Sequence, residues 1–205
     1  METGEQEAAY MSRAGVIVKE GIVGSLKGVN EIEAEIVSLV RATVSNTLRT
    51  AGSIAADGIS ITSDVVRGAL QAAEEVGAGL TLGVKSVTKG VVMGVSDVGG
   101  DMCTVAHHTV KGAVAGAAEI GADVSVIAHR AVSGVIEAVR EIGGDVSLAA
   151  TLAVEGALAA AESLGSATVR TIREILISAV ANAKGIGLTA PMKSQRVNSP
   201  GQEAA

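Results

Sequence analysis

Histidine is the side chain of this chain with the most obvious metal-binding or proton-transfer chemistry. His107 and His129 are 22 residues apart, so they would lie about 33 Å apart along a straight helix, too far to share one metal ion. The adjacent His107 and His108 would point about 100° apart on a helix and make a poor chelate. We therefore interpret the histidines as solvated polar residues, with an intermolecular metal site or a pH-sensitive charge as the alternative.

The other chemical candidates are a single cysteine and a few glycine-rich or acidic positions. Cys103 has His107 one turn away, but no third group orients such a pair, so we interpret it as a small packing residue. Residues 94–100 contain three glycines, yet a phosphate-binding loop needs a strand before it and a helix after it, and these glycines belong to a helical series. We predict no enzyme, no catalytic, metal or cofactor site, and no small-molecule substrate.

Composition excludes several other classes of protein. The 205 residues are 48% hydrophobic, yet they include no Trp, no Phe and a single Tyr, and the net charge is −6. One cysteine excludes an intrachain disulfide scaffold, and a mean hydropathy of +0.44 is too apolar for charged disorder. Without a basic stripe interleaved with aromatics, nucleic-acid binding has little support. The missing aromatics also argue against an ordinary globular core.

Targeting signals are not evident in the chain. The first seven residues are acidic and lack the basic region and apolar run of a secretory signal. The longest stretches without Asp, Glu, Lys or Arg are nine residues, whereas a transmembrane helix needs about 20 apolar residues. We expect a cytoplasmic protein, free or bound peripherally to a membrane, droplet or granule.

Glycine recurs with a period of 22 residues, and residues 66–187 keep this register without insertion or deletion. The first series is Gly68, Gly90, Gly112, Gly134 and Gly156, and the second includes Gly99, Gly121 and Gly143. Because 22 is twice eleven, and eleven residues make three helical turns, the period predicts an amphipathic helix. We expect these glycines to let another surface approach closely.

Aliphatic residues occupy a wide face of that helix. When the sequence is written in rows of eleven residues, each column holds residues at the same position on the helix. The columns that contain valine, isoleucine, leucine and small residues cover about 200° of the helix circumference, and the columns that contain charged residues cover about 100°. The residues that best define the apolar face are Val76, Val87, Val91, Val98, Ile120, Val124, Val135, Ile142, Val146 and Leu164. A soluble single helix does not tolerate such a face, so it must be buried against other helices or a hydrophobic surface.

Three regions follow from this pattern. Residues 1–12 form an acidic flexible N-terminus, residues 13–187 the helical repeat region, and residues 188–205, which contain both prolines, a disordered tail. The fold class is all-α, with long 11- or 22-residue repeat helices that either run on or fold back as a hairpin or bundle. Constant spacing favours mostly continuous helices. Helix breaks at Asp101, Asp123 and Asp145, each an N-cap after a glycine C-cap, are the alternative.

Period and composition together resemble proteins that coat hydrophobic surfaces. Segments 18–22, 88–92 and 51–56 are similar to parts of synucleins, and the repeat resembles those of perilipins and exchangeable apolipoproteins, with bacterial phasins as looser analogues. The resemblance implies amphipathic helices that lie on lipid or on a polyester granule. In contrast to synucleins, the polar face here is mixed or acidic, which argues against attraction to anionic lipid.

Two functions remain open at this point. The first is a non-enzymatic structural protein whose wide Val/Ala/Gly face coats or shapes a membrane leaflet, lipid droplet or polyester granule. The second is a homo-oligomer that assembles without lipid as a right-handed coiled-coil bundle or a filament, since eleven-residue repeats favour right-handed supercoils. The expected partners are therefore a hydrophobic surface, further copies of the chain, or both.

Overall fold

The computed structural model describes residues 13–50, 59, 61–70 and 80–183, which contain helices and turns but no strand. The predicted all-α, folded-back class is confirmed. The helices are α1 (Arg13–Thr50), α2 (residues 61–70), α3 (Leu80–Ser96), α4 (Met102–Glu119), α5 (Val124–Ile142), α6 (Val146–Glu162) and α7 (Ser166–Ala183). The predicted N-terminal segment 1–12, the tail 188–205 and Val76 lie outside the described residues.

Glycine ends the helices at the second glycine series, so the interpretation of helices continuous through these sites is wrong. Gly99, Gly121 and Gly143 have φ values of 72°, 70° and 82°, a left-handed conformation that glycine adopts without Cβ strain. The following amides bond back to the last turn, as where Gly144 N donates to Val139 O at 2.9 Å. Spacing is constant because each 22-residue unit is one helix plus its turn.

Aspartate begins the next helix after each of these turns. Asp101 accepts a hydrogen bond from Cys103 N at 2.9 Å, and Asp145 accepts one from Leu148 N at 3.0 Å. Asp123 accepts two, from Ser125 N at 2.9 Å and from a second amide at 3.2 Å. These aspartates are N-caps, because their carboxylates satisfy amides that no intrahelical carbonyl can reach.

Removal of one cap should therefore weaken the fold measurably. We expect Asp123→Ala to lower the free energy of unfolding by about 1 kcal/mol, because the first amides of α5 lose their acceptor. Asp123→Asn keeps an acceptor oxygen and should cost much less. Urea unfolding followed by circular dichroism measures both, and equal losses would mean that charge rather than the hydrogen bond stabilises this helix start.

The helices form two layers. One layer contains α1, α3, α5 and α7, and the other contains α2, α4 and α6, with consecutive helices packed across the layers. Neighbours within a layer are parallel: Lys85 and Lys89 of α3 pair in the same order with Glu137 and Glu141 of α5. Each helix therefore contacts mainly its immediate neighbours, as in a helical-repeat array.

Valine and alanine fill the space between the layers. The largest fully buried side chains are all leucine, isoleucine or valine, including Leu48, Ile127, Ile172, Leu176 and Val91. Small core residues allow the helices to pack closely, which compensates for the missing aromatic area.

The residues of the predicted apolar face are buried to different degrees. Val87, Val91 and Val135 are buried. Partly buried residues are Val98, Ile120, Val124, Ile142 and Val146. Leu164, after α6, is 40% exposed. Most of the described face is thus covered by helices of the same chain.

Candidate interaction surfaces

Glycine marks the points where two parallel helices of one layer approach most closely. A Cβ at Gly90 would lie 2.8 Å from Val40 Cβ and 2.9 Å from Val37 O, and one at Gly94 would lie 2.8 Å from Arg41 O. Real Cβ atoms essentially never approach other heavy atoms below 3.0 Å. Here α3 rests directly on the backbone of α1.

The next helix in each layer repeats this arrangement. A Cβ at Gly134 would overlap Lys85 O and Thr88 Oγ1, so α5 rests on the backbone of α3. In the other layer, a Cβ at Gly156 would overlap His107 O, so α6 rests on α4. Helix interiors seldom contain glycine because it costs about 1 kcal/mol relative to alanine. The close backbone contacts explain why it occurs at these positions.

Not every glycine of the first series lies at such a contact. At Gly68 and Gly112, nothing beyond the backbone of their own helix lies within 4 Å of a Cβ built on them, so the expected close approach does not occur there among the described residues. In α4 the contact is one turn further on, where a Cβ at Gly116 would lie 2.6 Å from Leu70 Cδ1. A substitution at Gly112 therefore should not block packing of these helices. Gly99, Gly121 and Gly143 serve the turns instead.

Ion pairs join the same parallel helices at the surface. Arg41 and Asp97 are bidentate: Arg41 Nε donates to Asp97 Oδ2 at 2.7 Å and Arg41 Nη2 donates to Asp97 Oδ1 at 2.6 Å. The other pairs are Lys85–Glu137 at 3.1 Å, Lys89–Glu141 at 2.6 Å and Arg67–Glu119 at 3.7 Å.

These pairs all have the same polarity along the chain. In each of the four, the cation lies on the earlier helix, and the acid lies on the next helix of the same layer or, for Asp97, in the turn directly after it. Three of them join residues 52 positions apart. These pairs were not predicted from the sequence, because a 22-residue period does not specify how far neighbouring helices are offset along their axes. Within its layer, α3 with its following turn therefore presents an acidic edge to α1 and a basic edge to α5.

The Arg41–Asp97 pair makes stability depend on pH. The hydrogen bond from Arg41, more than its charge at a distance, holds the pKa of Asp97 below its usual value. The stabilisation is fully present above the unfolded pKa of about 4 and is lost as pH falls through the lowered folded pKa. We expect Asp97→Asn to flatten the fall in stability below about pH 4. Urea midpoints measured from pH 2 to 7 test this, with Asp64→Asn, an exposed residue of α2, as control.

The histidines and Cys103, which were the first candidates for chemistry, do not form a catalytic arrangement in the described residues. The His107 and His108 rings meet edge to face with centroids 5.0 Å apart. Burial, followed by His107 and Lys111, lowers the pKa of His108. Burial also raises the pKa of the half-buried Cys103, which favours the unreactive thiol. Within the described part of the chain, no group of three or more His, Cys, Asp or Glu residues could hold a metal ion.

A groove of about 390 Å³ opens above the ion pairs of α1, α3 and α5. Its cations are Arg41, Lys85 and Lys89, and each is already paired with a carboxylate. An anionic ligand would have to break these pairs. The groove is therefore better described as a by-product of helix packing than as a binding site.

Large apolar side chains are exposed at the two ends of the array and at two helix starts. Ile32 and Leu39 project from α1, and Ile177 projects from α7. Val126 and Leu148, which are 22 residues apart, occupy the first turns of α5 and α6. The end helices α1 and α7 thus expose apolar surface where the interior helices have neighbours.

Comparison with known proteins identifies no relative. No protein-family model matches the chain, and a search of curated proteins finds no match. Among the described residues, no helix is long and apolar enough to cross a membrane.

Proposed function

We propose that this chain is a non-enzymatic structural protein that assembles with further copies of itself through helix-to-helix packing. The observation that supports this proposal is the use of the apolar face within the chain. Val91 and Val135 are 0% exposed, and Gly134 brings α5 onto the backbone of α3. The apolar face is therefore packed by helices of the same chain, and a further copy could make the same type of helix contact at the outer edges of α1 and α7.

Repetition is the second reason for self-assembly. The contacts between α1 and α3 recur between α3 and α5, and those within the other layer follow the same scheme. Repeated units that contact their neighbours through two different edges, as α3 does, leave an edge at each end to which a further unit can add. A further copy is the partner whose edges match by construction.

The surface-coating hypothesis remains a prediction, and the fold shows which structural change it would require. To place the wide face on a lipid droplet, membrane or polyester granule, the two layers would have to separate. Buried valines and alanines would exchange protein neighbours for the hydrophobic surface, and the four inter-helix ion pairs would break. Such opening would consume most of a typical folding free energy of about 5–15 kcal/mol.

Circular dichroism and sedimentation across a concentration series separate the two functions. We expect full helicity at the lowest concentration without lipid, and a mass that rises with concentration. Helix that forms only on addition of vesicles or a neutral-lipid emulsion would instead favour coating. A chain that is helical and monomeric at all concentrations, and that binds neither the vesicles nor the emulsion, would contradict both functions.

A further inference from the structure

The first helix has one edge without a neighbour of its own layer among the described residues. Its α3-facing edge contains Val37, Val40 and Val44. At 100° per residue, the exposed Ile32 and Leu39 lie about 110–135° away from the centre of that edge. Ile32 is 58% exposed and Leu39 is 68% exposed.

Two acidic residues lie beside these apolar side chains on α1. Glu31 and Glu35 are both exposed and lie within about 100° of Ile32 on the helix. This outer edge of α1 is hereafter called the acidic end face. It combines two carboxylates with two large apolar side chains, Ile32 and Leu39.

The last described helix presents the opposite charge. On α7, Ile172 and Leu176 are buried, whereas Arg170, Arg173 and Ile177 are exposed. Ile177 is 58% exposed, and the exposed Glu174 lies one helical turn after Arg170. This surface is hereafter called the basic end face.

One charge at each end has counterparts among the ion pairs inside the fold. Arg173 is in the same column as Arg41 and Lys85, at multiples of 44 residues. Arg41 pairs with Asp97, which is in the column of Glu31, whereas Lys85 pairs with Glu137, which is in the column of Lys27. Glu31 is in the same column as three acids that accept such pairs, at multiples of 22 residues. These acids are Asp97, Glu119 and Glu141.

We propose that the basic end face of one copy docks on the acidic end face of the next, with the two helices side by side as in the interior of the fold. This inference rests on the proposed self-assembly and names its interface. The occupant is a second copy of this chain, because charge and apolar character are matched between the two ends. The contact is heterologous, so copies add head to tail and form a ring or an open filament, depending on the rotation between successive copies.

Charge reversal at either end tests this interface in the full-length protein. Glu31→Arg with Glu35→Arg, or Arg170→Glu with Arg173→Glu, gives two ends of like charge. We expect each double variant to raise the dissociation constant of self-association about tenfold or more. Lys111→Glu with Arg140→Glu changes two exposed cations on interior helices and should leave association unchanged. Helicity by circular dichroism verifies that every variant is folded.

Mixing the two variants provides the decisive measurement. The acid-to-arginine variant has two basic ends and the arginine-to-glutamate variant has two acidic ends, so they should co-assemble in alternation. Analytical ultracentrifugation of the equimolar mixture should recover most of the wild-type mass.

The outcomes distinguish the interface from the function. If the wild-type chain self-associates but both variants do so equally well, the end faces are not the interface. Weakened variants that fail to recover on mixing would also overturn the head-to-tail pairing. A wild-type chain that stays monomeric throughout would instead contradict the proposed self-assembly itself.

Discussion

Gly134→Ala is expected to lower the free energy of unfolding by about 3 kcal/mol or more, an unusually large effect for one added methyl group. The new Cβ would overlap Lys85 O and Thr88 Oγ1. The carbonyl belongs to the backbone of α3, so α5 has to move away from α3 as a whole. This movement would also lengthen the Lys85–Glu137 and Lys89–Glu141 ion pairs.

Gly112→Ala is the matched control for this substitution. Gly112 has the same place in the 22-residue repeat and lies inside α4, but nothing beyond the backbone of its own helix is within 4 Å of its added Cβ. Because alanine is the better helix former, this variant should gain about 1 kcal/mol. Urea unfolding of both variants gives the comparison. Equal effects would mean that Gly134 does not lie against the α3 backbone.

Val91→Lys is expected to cost about 4 kcal/mol or more and to unfold much of the protein at room temperature. Val91 is 0% exposed and lies on α3, which contacts helices of both layers. A lysine there would place an ammonium group in an apolar environment without a partner. Loss of the helical signal or a strongly reduced urea midpoint is the expected observation.

Val126→Lys provides the same change of side chain at the surface. Val126 is 38% exposed in the first turn of α5, so its lysine can reach water, and the cost should stay within about 0.5 kcal/mol. The half-buried Val124 should respond between these limits. If Val91→Lys were as mild as Val126→Lys, the valine core between the layers would not exist as described.

Substitutions inside the fold and substitutions on the end faces should affect assembly in different ways. Gly134 and Val91 act inside one chain, so their substitution should reduce helicity and association together. Charge reversal on the end faces should reduce association alone. Comparing the two kinds of variant therefore separates folding from assembly without knowledge of the biological partner.

The helical nature of the chain and the length of its unit were readable from the residues alone. Period and composition predict an amphipathic all-α protein, because the spacing of apolar side chains reflects the 3.6-residue turn of a helix. Asp101, Asp123 and Asp145 were recognisable as cap candidates, since capping depends only on a short local segment. The solvated position expected for the histidines was not correct, because neighbouring helices leave His107, His108 and His129 half-buried.

Local sequence was ambiguous about continuity at Gly99, Gly121 and Gly143. A glycine is permitted both inside a helix at a close contact and beyond its end at positive φ. Gly134 and Gly143 are nine residues apart and take these two different roles. What separates them is the neighbouring helix, whose carbonyl lies against one glycine and is absent from the other.

Which charged residues form ion pairs between helices was decided entirely by the tertiary structure. Lys85 pairs with Glu137 because parallel helices of one layer are offset along their axes, which brings residues 52 positions apart into contact. A one-dimensional period of 22 specifies which residues are equivalent but contains no information on this offset. The offset is set by how α5 settles against α3 at Gly134, through van der Waals contact between atoms that are distant in the chain.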